Sequence, residues 1–468
     1  MTDPEPRSSA SGFRAVERAS RPSRPLFSPI GIDYSSTLQT SSRMQMPHAR
    51  SIVVAVLLSI PSIGTAQALP AAAPESVGMS AERLERIDDF LRMIVAEGEV
   101  AGAVGLVTRS GRVVARDSAG VFGLDDRRTL RTDAIFRIAS MTKPVTSVAV
   151  MMLVEEGKVS LSDPVARFIP SFREMRVAVL DPARENIVRY EAARRQITIR
   201  DLLVHRAGLT YGFLDSGPVG DLYRAAGVSD GVGTANLSLA ENIERVAAQP
   251  LVHHPGSAYQ YGLSTDVLGR VVEVASGMPL DAFFRTRIFE PLGLRSTGFA
   301  VPPEEHGRIA HLHGRGEDDG GLRQTAGWTA SSLLSGGAGL FSTADDYSRF
   351  LQMLLNGGEL DGVRLLSPKT VELMTVSHTT DLAGDQGGSG RGFGLGFAVI
   401  EDLGATGLYG SVGSYNWGGI WGTVFWVDPV EELIAVAMIQ LSGGAGRFQT
   451  GFRAAVYQAI SESRPGDR

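Results

Sequence analysis

Leu84, Ile87, Phe90, Leu91 and Ile94 fall three or four residues apart, so one face of residues 81–97 is apolar and the spacing predicts a helix. The period then shortens. Val100–Thr108 and Arg112–Ser118 read as two strands on either side of a Ser110-Gly111 turn. Between about 140 and 330 helical spacing returns, with helices expected at 141–156, 199–205, 238–247 and 265–275, each ending in or before a glycine or proline. Strands follow as Phe393–Ile400, Gly422–Val427 and Leu433–Gln440, and a last helix covers about Phe448–Ser461. Strands at both ends and helices between them predict an α/β chain of the α+β type. Residues 69–139 and 330–468 would share one antiparallel sheet flanked by helices, and 140–329 would form an inserted, mainly helical lobe. A small-molecule site is expected in the cleft between the two.

The N-terminus has a different pattern. Residues 1–43 are rich in Ser, Arg and Pro and read as a disordered or mis-started leader. Residues 44–68 read as a secretory signal: Met46–Arg50 is followed by the apolar Ser51–Ile60, and Ala66-Gln67-Ala68 offers a small-x-small cleavage site before Leu69. The apolar run is short for a bilayer span, and no later stretch is long enough for one. An exported, periplasmic or secreted protein is the expectation.

Composition narrows the chemistry. The absence of cysteine excludes disulfides, thiolate metal sites and cysteine nucleophiles. Net charge is −6 for the whole chain and −9 for residues 69–468, which disfavours a nucleic-acid partner. Of the 45 basic residues only Lys143, Lys158 and Lys369 are lysines. A lysine kept in so arginine-rich a chain points to a task that arginine cannot perform.

Ser140-Met-Thr-Lys143 is the only Ser-x-x-Lys in the sequence, and no Gly-x-Ser-x-Gly or His-Glu-x-x-His accompanies it. Residues i and i+3 share a helix face, so a lysine there reaches the serine hydroxyl and, if neutral, takes its proton. Pro144 is tolerated only in a first turn, so the helix must begin close to Ser140. The positive helix end and burial both favour a neutral Lys143, a state closed to arginine.

With this segment in view, Phe136–Pro144 resembles the active-site segment of the serine β-lactamase-like hydrolases, in particular the class C β-lactamase-related carboxylesterases of family VIII. Leu161–Pro164, Thr198–Leu203, Pro255-Gly256, Ser264–Gly269, Pro291–Gly293, Ser342–Tyr347 and Trp417–Gly419 with Val427–Pro429 fit in order, so the resemblance covers nearly all of residues 69–468. It implies a β-lactamase/transpeptidase-like fold. It also implies that Tyr261, in Tyr259-Gln-Tyr-Gly-Leu-Ser264, hydrogen-bonds the nucleophile and shuttles its proton, with Tyr259 structural and Ser264 capping the next helix. Leu263 stands where β-lactamases carry an asparagine that contacts the lactam side chain, which shifts weight towards an esterase. Trp417-Gly418-Gly419 matches the family's third motif, so the Ile420 N–H would join that of Ser140 as an oxyanion hole; a match beginning at Asn416 remains open. No cation stands in this motif to grip a β-lactam carboxylate.

The expected function is therefore hydrolysis of carboxylic esters, short-chain acyl esters first, through an acyl-enzyme on Ser140 with Lys143 as base and Tyr261 as relay. Trp417, Gly418, Gly419 and Leu263 would contact the substrate, a small-molecule ester or amide. A β-lactamase or penicillin-binding D-amino-acid peptidase, an acyltransferase, and a non-catalytic binding protein on the same fold are the alternatives. No cofactor or metal is expected: His311 and His313 have no third ligand spaced near them. His205 reads as structural at a helix end, and His253-His254 as cleft lining or surface. The glycine-rich 384–392 segment is left without a role.

Overall fold

The computed structural model describes residues 68–316, 320–325, 331–379 and 390–464. The leader, nearly all of the signal-like segment and residues 384–389 of the glycine-rich run lie outside them. The chain from Ile63 onward forms one unit, and the description below concerns that unit.

Its frame is a seven-stranded antiparallel sheet. The strands are β1 (Gly102–Arg109), β2 (Arg112–Gly120), β3 (Arg391–Phe393), β4 (Ala398–Ile400), β5 (Tyr415–Gly418), β6 (Val424–Asp428) and β7 (Leu433–Met438). Their order is β3-β4-β5-β6-β7-β1-β2, so the two ends of the chain meet where β1 pairs with β7, Val104 opposite Met438. The Ser110-Gly111 turn joins β1 to β2 with both residues at positive φ, 54° and 71°, the twist-matched geometry of a two-residue hairpin.

Each face of the sheet meets helices, and alternation along the strands divides the work. Ala103 and Val107 of β1 and Ala435 and Ala437 of β7 face one core with α1 (Ala81–Ala96) and the C-terminal helix Gly446–Tyr457. Val104, Leu106, Ile434, Val436 and Met438 face the other. The first face carries small residues because the helices lie close: a Cβ on Gly105 would come within 2.6 Å of the Phe452 ring.

The second core holds α2 (Thr142–Glu155), α3 (Ile199–Leu203), α4 (Leu239–Ala247), α5 (Ser264–Ser276) and α6 (Ala344–Leu355); the C-terminal helix is α7. Among the described residues no helix is long and apolar enough to cross a membrane. The expected antiparallel sheet with flanking helices is present. Four local expectations change. Residues 393–400 form two strands joined by a tight turn, because Gly396 takes φ 104° and the Gly394 N–H reaches back to the Phe397 carbonyl at 2.8 Å. The middle region also contains a hairpin, Arg176–Leu180 with Ile187–Ala192, and the C-terminal stretch opens with α6 before its sheet strands begin. Ser264 does not cap α5: Leu263 is the N-cap, and Ser264 is the first helical residue with its hydroxyl buried and unpaired.

The ends of the described chain are tied by one buried side chain. Arg109, at the end of β1, donates to the carbonyls of Gly78 (2.7 Å), Glu431 (3.1 Å) and Glu462 (2.8 Å) and to the Glu431 carboxylate (2.5 Å). Removing the guanidinium would leave a buried carboxylate without its counter-charge. Arg109→Met is expected to destabilise the protein by about 3–5 kcal/mol in urea unfolding, with part of the loss recovered in an Arg109→Met/Glu431→Leu double variant.

Candidate active site

Ser140 sits in a single 3-10 turn, Ala139–Met141, that runs directly into α2. Ala139 is held at φ 44°, a left-handed conformation that costs a non-glycine residue about 1–3 kcal/mol. The turn is fixed from several sides. The Ile138 N–H donates to the Leu340 carbonyl (3.0 Å), Tyr347 Oη to the Met141 carbonyl (2.8 Å), and the Leu340 N–H to Thr142 Oγ1 (3.1 Å). Pro144 falls in the first turn of α2, where its missing N–H breaks no helical bond.

Lys143 is 1% exposed. Its Nζ lies 3.2 Å from Ser140 Oγ, 3.0 Å from Tyr211 Oη and 2.9 Å from the Gly337 carbonyl. The carbonyl can only accept, so one N–H is committed to it. The two hydroxyls can each donate or accept, so the remaining positions on nitrogen suit proton exchange with Ser140. Burial, followed by the neighbouring Tyr261 and Asp266, holds the Tyr211 phenol well above its usual value, so Tyr211 stays an O–H.

Tyr261 reaches the same amine differently. Lys143 Nζ lies over its ring, 4.7 Å from the centroid, while its hydroxyl is 3.4 Å from Trp417 Nε1. Among the described residues the tyrosine that hydrogen-bonds Lys143 Nζ is Tyr211, whose Oη accepts from it. Tyr261 is held in a layer of rings, with centroids 4.8 Å from His205, 5.4 Å from Trp417 and 5.5 Å from Tyr211. His205 is fully buried, and burial above all keeps its pKa well below the usual imidazole value. It acts as neutral packing. Tyr259 packs against His205 and Phe393.

Ser140, Tyr211, Tyr261, Trp417, Gly418 and Ile420 line one cavity of about 450 Å³. Among the described residues neither the Ser140 N–H nor the Ile420 N–H is taken up by an acceptor. β5 passes close to the nucleophile turn because position 419 is glycine: a Cβ there would stand 2.5 Å from the Ile138 carbonyl and closer still to Thr423 Oγ1.

Two expected contacts do not form. Leu263 is fully buried in the core, turned inward by its place at the start of α5, and Gly419 is packed against the nucleophile turn. Neither lines the cavity. Outside the site, His254 bonds Glu191 at 2.8 Å, His311 lies 3.8 Å from Asp126, and His313 is buried and accepts from the Leu124 N–H.

The structure adds residues that pattern reading passed over. Tyr211 lies in a loop after α3 and stands in no motif quoted above. Asp266 is fully buried; it accepts from Ser335 Oγ (2.6 Å) and the Gly337 N–H (3.3 Å), and thereby holds the residue whose carbonyl accepts from Lys143. Burial raises its pKa, partly offset by Ser335 and Lys143. The run Ser335-Gly-Gly-Ala-Gly-Leu340 was the available signal, since its glycines let the segment lie against α2 and α5. Arg391 and Arg453 also line the cavity, far in sequence from Trp417, so cations do face this site.

The family model described as Beta-lactamase matches residues 87–459. An uncharacterized protein of Mycobacterium tuberculosis is 38% identical over 362 residues, covering 75% of this chain and 88% of the relative. Esterase EstB of Burkholderia gladioli is 32% identical over 392 residues, 80% of this chain and 94% of EstB. Among solved structures, EstCE1, a hydrolase with promiscuous acyltransferase activity, superposes with a TM-score of 0.70 at 30% identity, covering 81% of this chain and 99% of that one. A nucleophile turn bound to a buried lysine beside an antiparallel sheet, together with matches that span nearly the whole described unit, makes this chain a member of the beta-lactamase family, with its β-lactamase/transpeptidase-like fold, and a serine hydrolase.

Proposed function

We propose that the protein cleaves carboxylic esters, short-chain acyl esters first, through an acyl-enzyme on Ser140. The observation that carries this reading is the Lys143 amine within hydrogen-bond reach of Ser140 Oγ, beside a cavity with two unclaimed N–H groups. Ser140 Oγ attacks the ester carbonyl as its proton moves to Lys143 Nζ. The carbonyl oxygen becomes an oxyanion between the Ser140 and Ile420 N–H groups. Collapse breaks the bond to the alcohol oxygen, which leaves with a proton. Water then attacks the acyl carbon as Lys143 Nζ takes its proton, and that proton passes to Ser140 Oγ as the acid is released.

The two tyrosines divide the proton work. Tyr211, bonded to Nζ and kept protonated, orients the amine. Tyr261, on the cavity wall with its hydroxyl near the indole N–H, gives its phenol proton to the departing alcohol and is reprotonated from Lys143. The similarity to EstB and EstCE1 supports ester over lactam as substrate. Residues 44–68 support export as part of the same reading.

Ser140→Ala and Lys143→Arg are each expected to abolish turnover of p-nitrophenyl butyrate with the fold intact by circular dichroism, because a guanidinium does not give up its proton. Nitrocefin turned over faster than the ester would overturn the esterase reading. The tyrosines separate by leaving group. Tyr261→Phe is expected to slow alkyl esters about 10²-fold or more while sparing the p-nitrophenyl ester, whose leaving group departs without a proton. Tyr211→Phe is expected to slow both alike. For export, N-terminal sequencing of protein recovered outside the cytoplasm is expected to begin at Leu69.

A further inference from the structure

The cavity does not end at the nucleophile. β4 pairs with β5 only as far as Asn416, so Trp417 and Gly418 have a partner strand on one side alone. The cavity follows that free edge. Trp417 faces Tyr261 and Phe393, whereas Asn416 and Gly418 alternate to the opposite face and stand across from Trp426 and Val424 of β6. On that second face the walls are Asn416, Trp426, Gln449, Arg453 and, from β3, Arg391.

The polar groups gathered there are unusually ill-satisfied. Arg453 is 7% exposed; its guanidinium is stacked 4.4 Å over the Trp426 ring and spends one N–H on the Tyr409 carbonyl at 2.8 Å. Arg391 is half-buried, and its guanidinium has no ion-pair or hydrogen-bond partner among the described residues. Asn416 Nδ2 is buried without an acceptor. Asp428, the nearby acid, lies beyond ion-pair distance of both arginines and already accepts from Tyr457 Oη, Ser411 Oγ and the N–H groups of Val430 and Glu431. Burial pushes both arginines below their usual pKa; at Arg453 the charge of Arg391 adds to that effect, while Tyr457 and Asp428 partly offset it. Two like charges share one cavity wall, and among the described residues no carboxylate forms an ion pair with either.

We propose that Arg391, Arg453 and Asn416 Nδ2 form an anion-binding subsite of the substrate cavity, and that the preferred substrates carry a carboxylate at the end remote from the scissile carbonyl. Guanidinium forks match a carboxylate in geometry as well as charge. Trp426 holds Arg453 in place, and the free edge of β5 gives the substrate a path from Ser140 to the arginines. A half-ester of a dicarboxylic acid, or an ester whose alcohol bears the acid, fits this arrangement. The inference rests on the ester reading above and specifies its substrate class.

The test uses matched pairs. On the acyl side, the mono-p-nitrophenyl ester of adipic acid is compared with p-nitrophenyl hexanoate. On the alcohol side, 4-(hexanoyloxy)benzoate is compared with phenyl hexanoate. One anionic member is expected to exceed its neutral partner in kcat/KM by about tenfold or more, chiefly through KM, and the advantage is expected to shrink with added salt. The pair that shows the advantage tells which side of the ester carries the acid. In Arg391→Gln and in Arg453→Gln the anionic-to-neutral ratio is expected to fall towards one. A ratio of one in the native protein, or a ratio unchanged in both variants, overturns the subsite while leaving ester cleavage standing. If no ester is turned over, the ester reading fails separately. The subsite is then scored by calorimetric titration of Ser140→Ala with the same adipate ester: tighter binding than hexanoate, lost on adding Arg453→Gln, supports it, and equal binding overturns it.

Discussion

The buried amine of Lys143 is the point on which the site depends. It connects three pieces of chain that are distant in sequence: the nucleophile turn at Ser140, the loop bearing Tyr211, and the glycine-rich segment at Gly337. A primary amine removed from water must find partners, because an unmet polar group in the interior costs more than a hydrogen bond returns. That requirement draws the three pieces together, and each is fixed in turn from behind. Tyr347 holds the turn, Asp266 holds Gly337, and the ring layer of His205, Tyr261 and Trp417 closes over the lysine. The strain at Ala139 persists because so many bonds determine the position of the turn.

The sheet supplies the other half of the geometry. The central strands β1 and β7 are buried on both faces, and their small residues on the α1 side let helices lie close. β5 lies towards the β3 end, loses its outer partner after Asn416, and presents an edge to the nucleophile. A glycine at 419 brings that edge against the Ile138 carbonyl, and Ile420 and Ser140 border the same cavity. In the mechanism proposed above, this strand and the strained turn would hold the oxyanion position ready before substrate arrives.

The proposed substrate selection, by contrast, would act at the periphery of the cavity. Phe213 and Ile420 are apolar and exposed there, while Arg391 and Arg453 bring positive charge to the far face of β5. No cation stands within the third motif itself, and the chain on either side of Trp417-Gly418-Gly419 supplies none nearby. β3 and α7 deliver the two arginines from 26 residues before and 36 residues after Trp417, a convergence produced by strand order and helix packing.

Much was determined locally. α1 and the β1–β2 hairpin follow from apolar spacing and a turn whose residues accept positive φ. The nucleophile and its lysine follow from a three-residue spacing and a proline that fixes a first helical turn, because those relations hold within a few residues whatever surrounds them. Tyr211, Asp266 and the arginines lie in segments whose local pattern says nothing of their neighbours. Leu263 shows the converse: motif position suggested a substrate contact, and the start of α5 turned it into the core. The Ser140–Lys143 pair was thus specified by the sequence through local helix geometry, whereas the groups that orient the lysine and line the far end of the cavity were decided by tertiary packing, because contacts across a sheet edge depend on which strands meet.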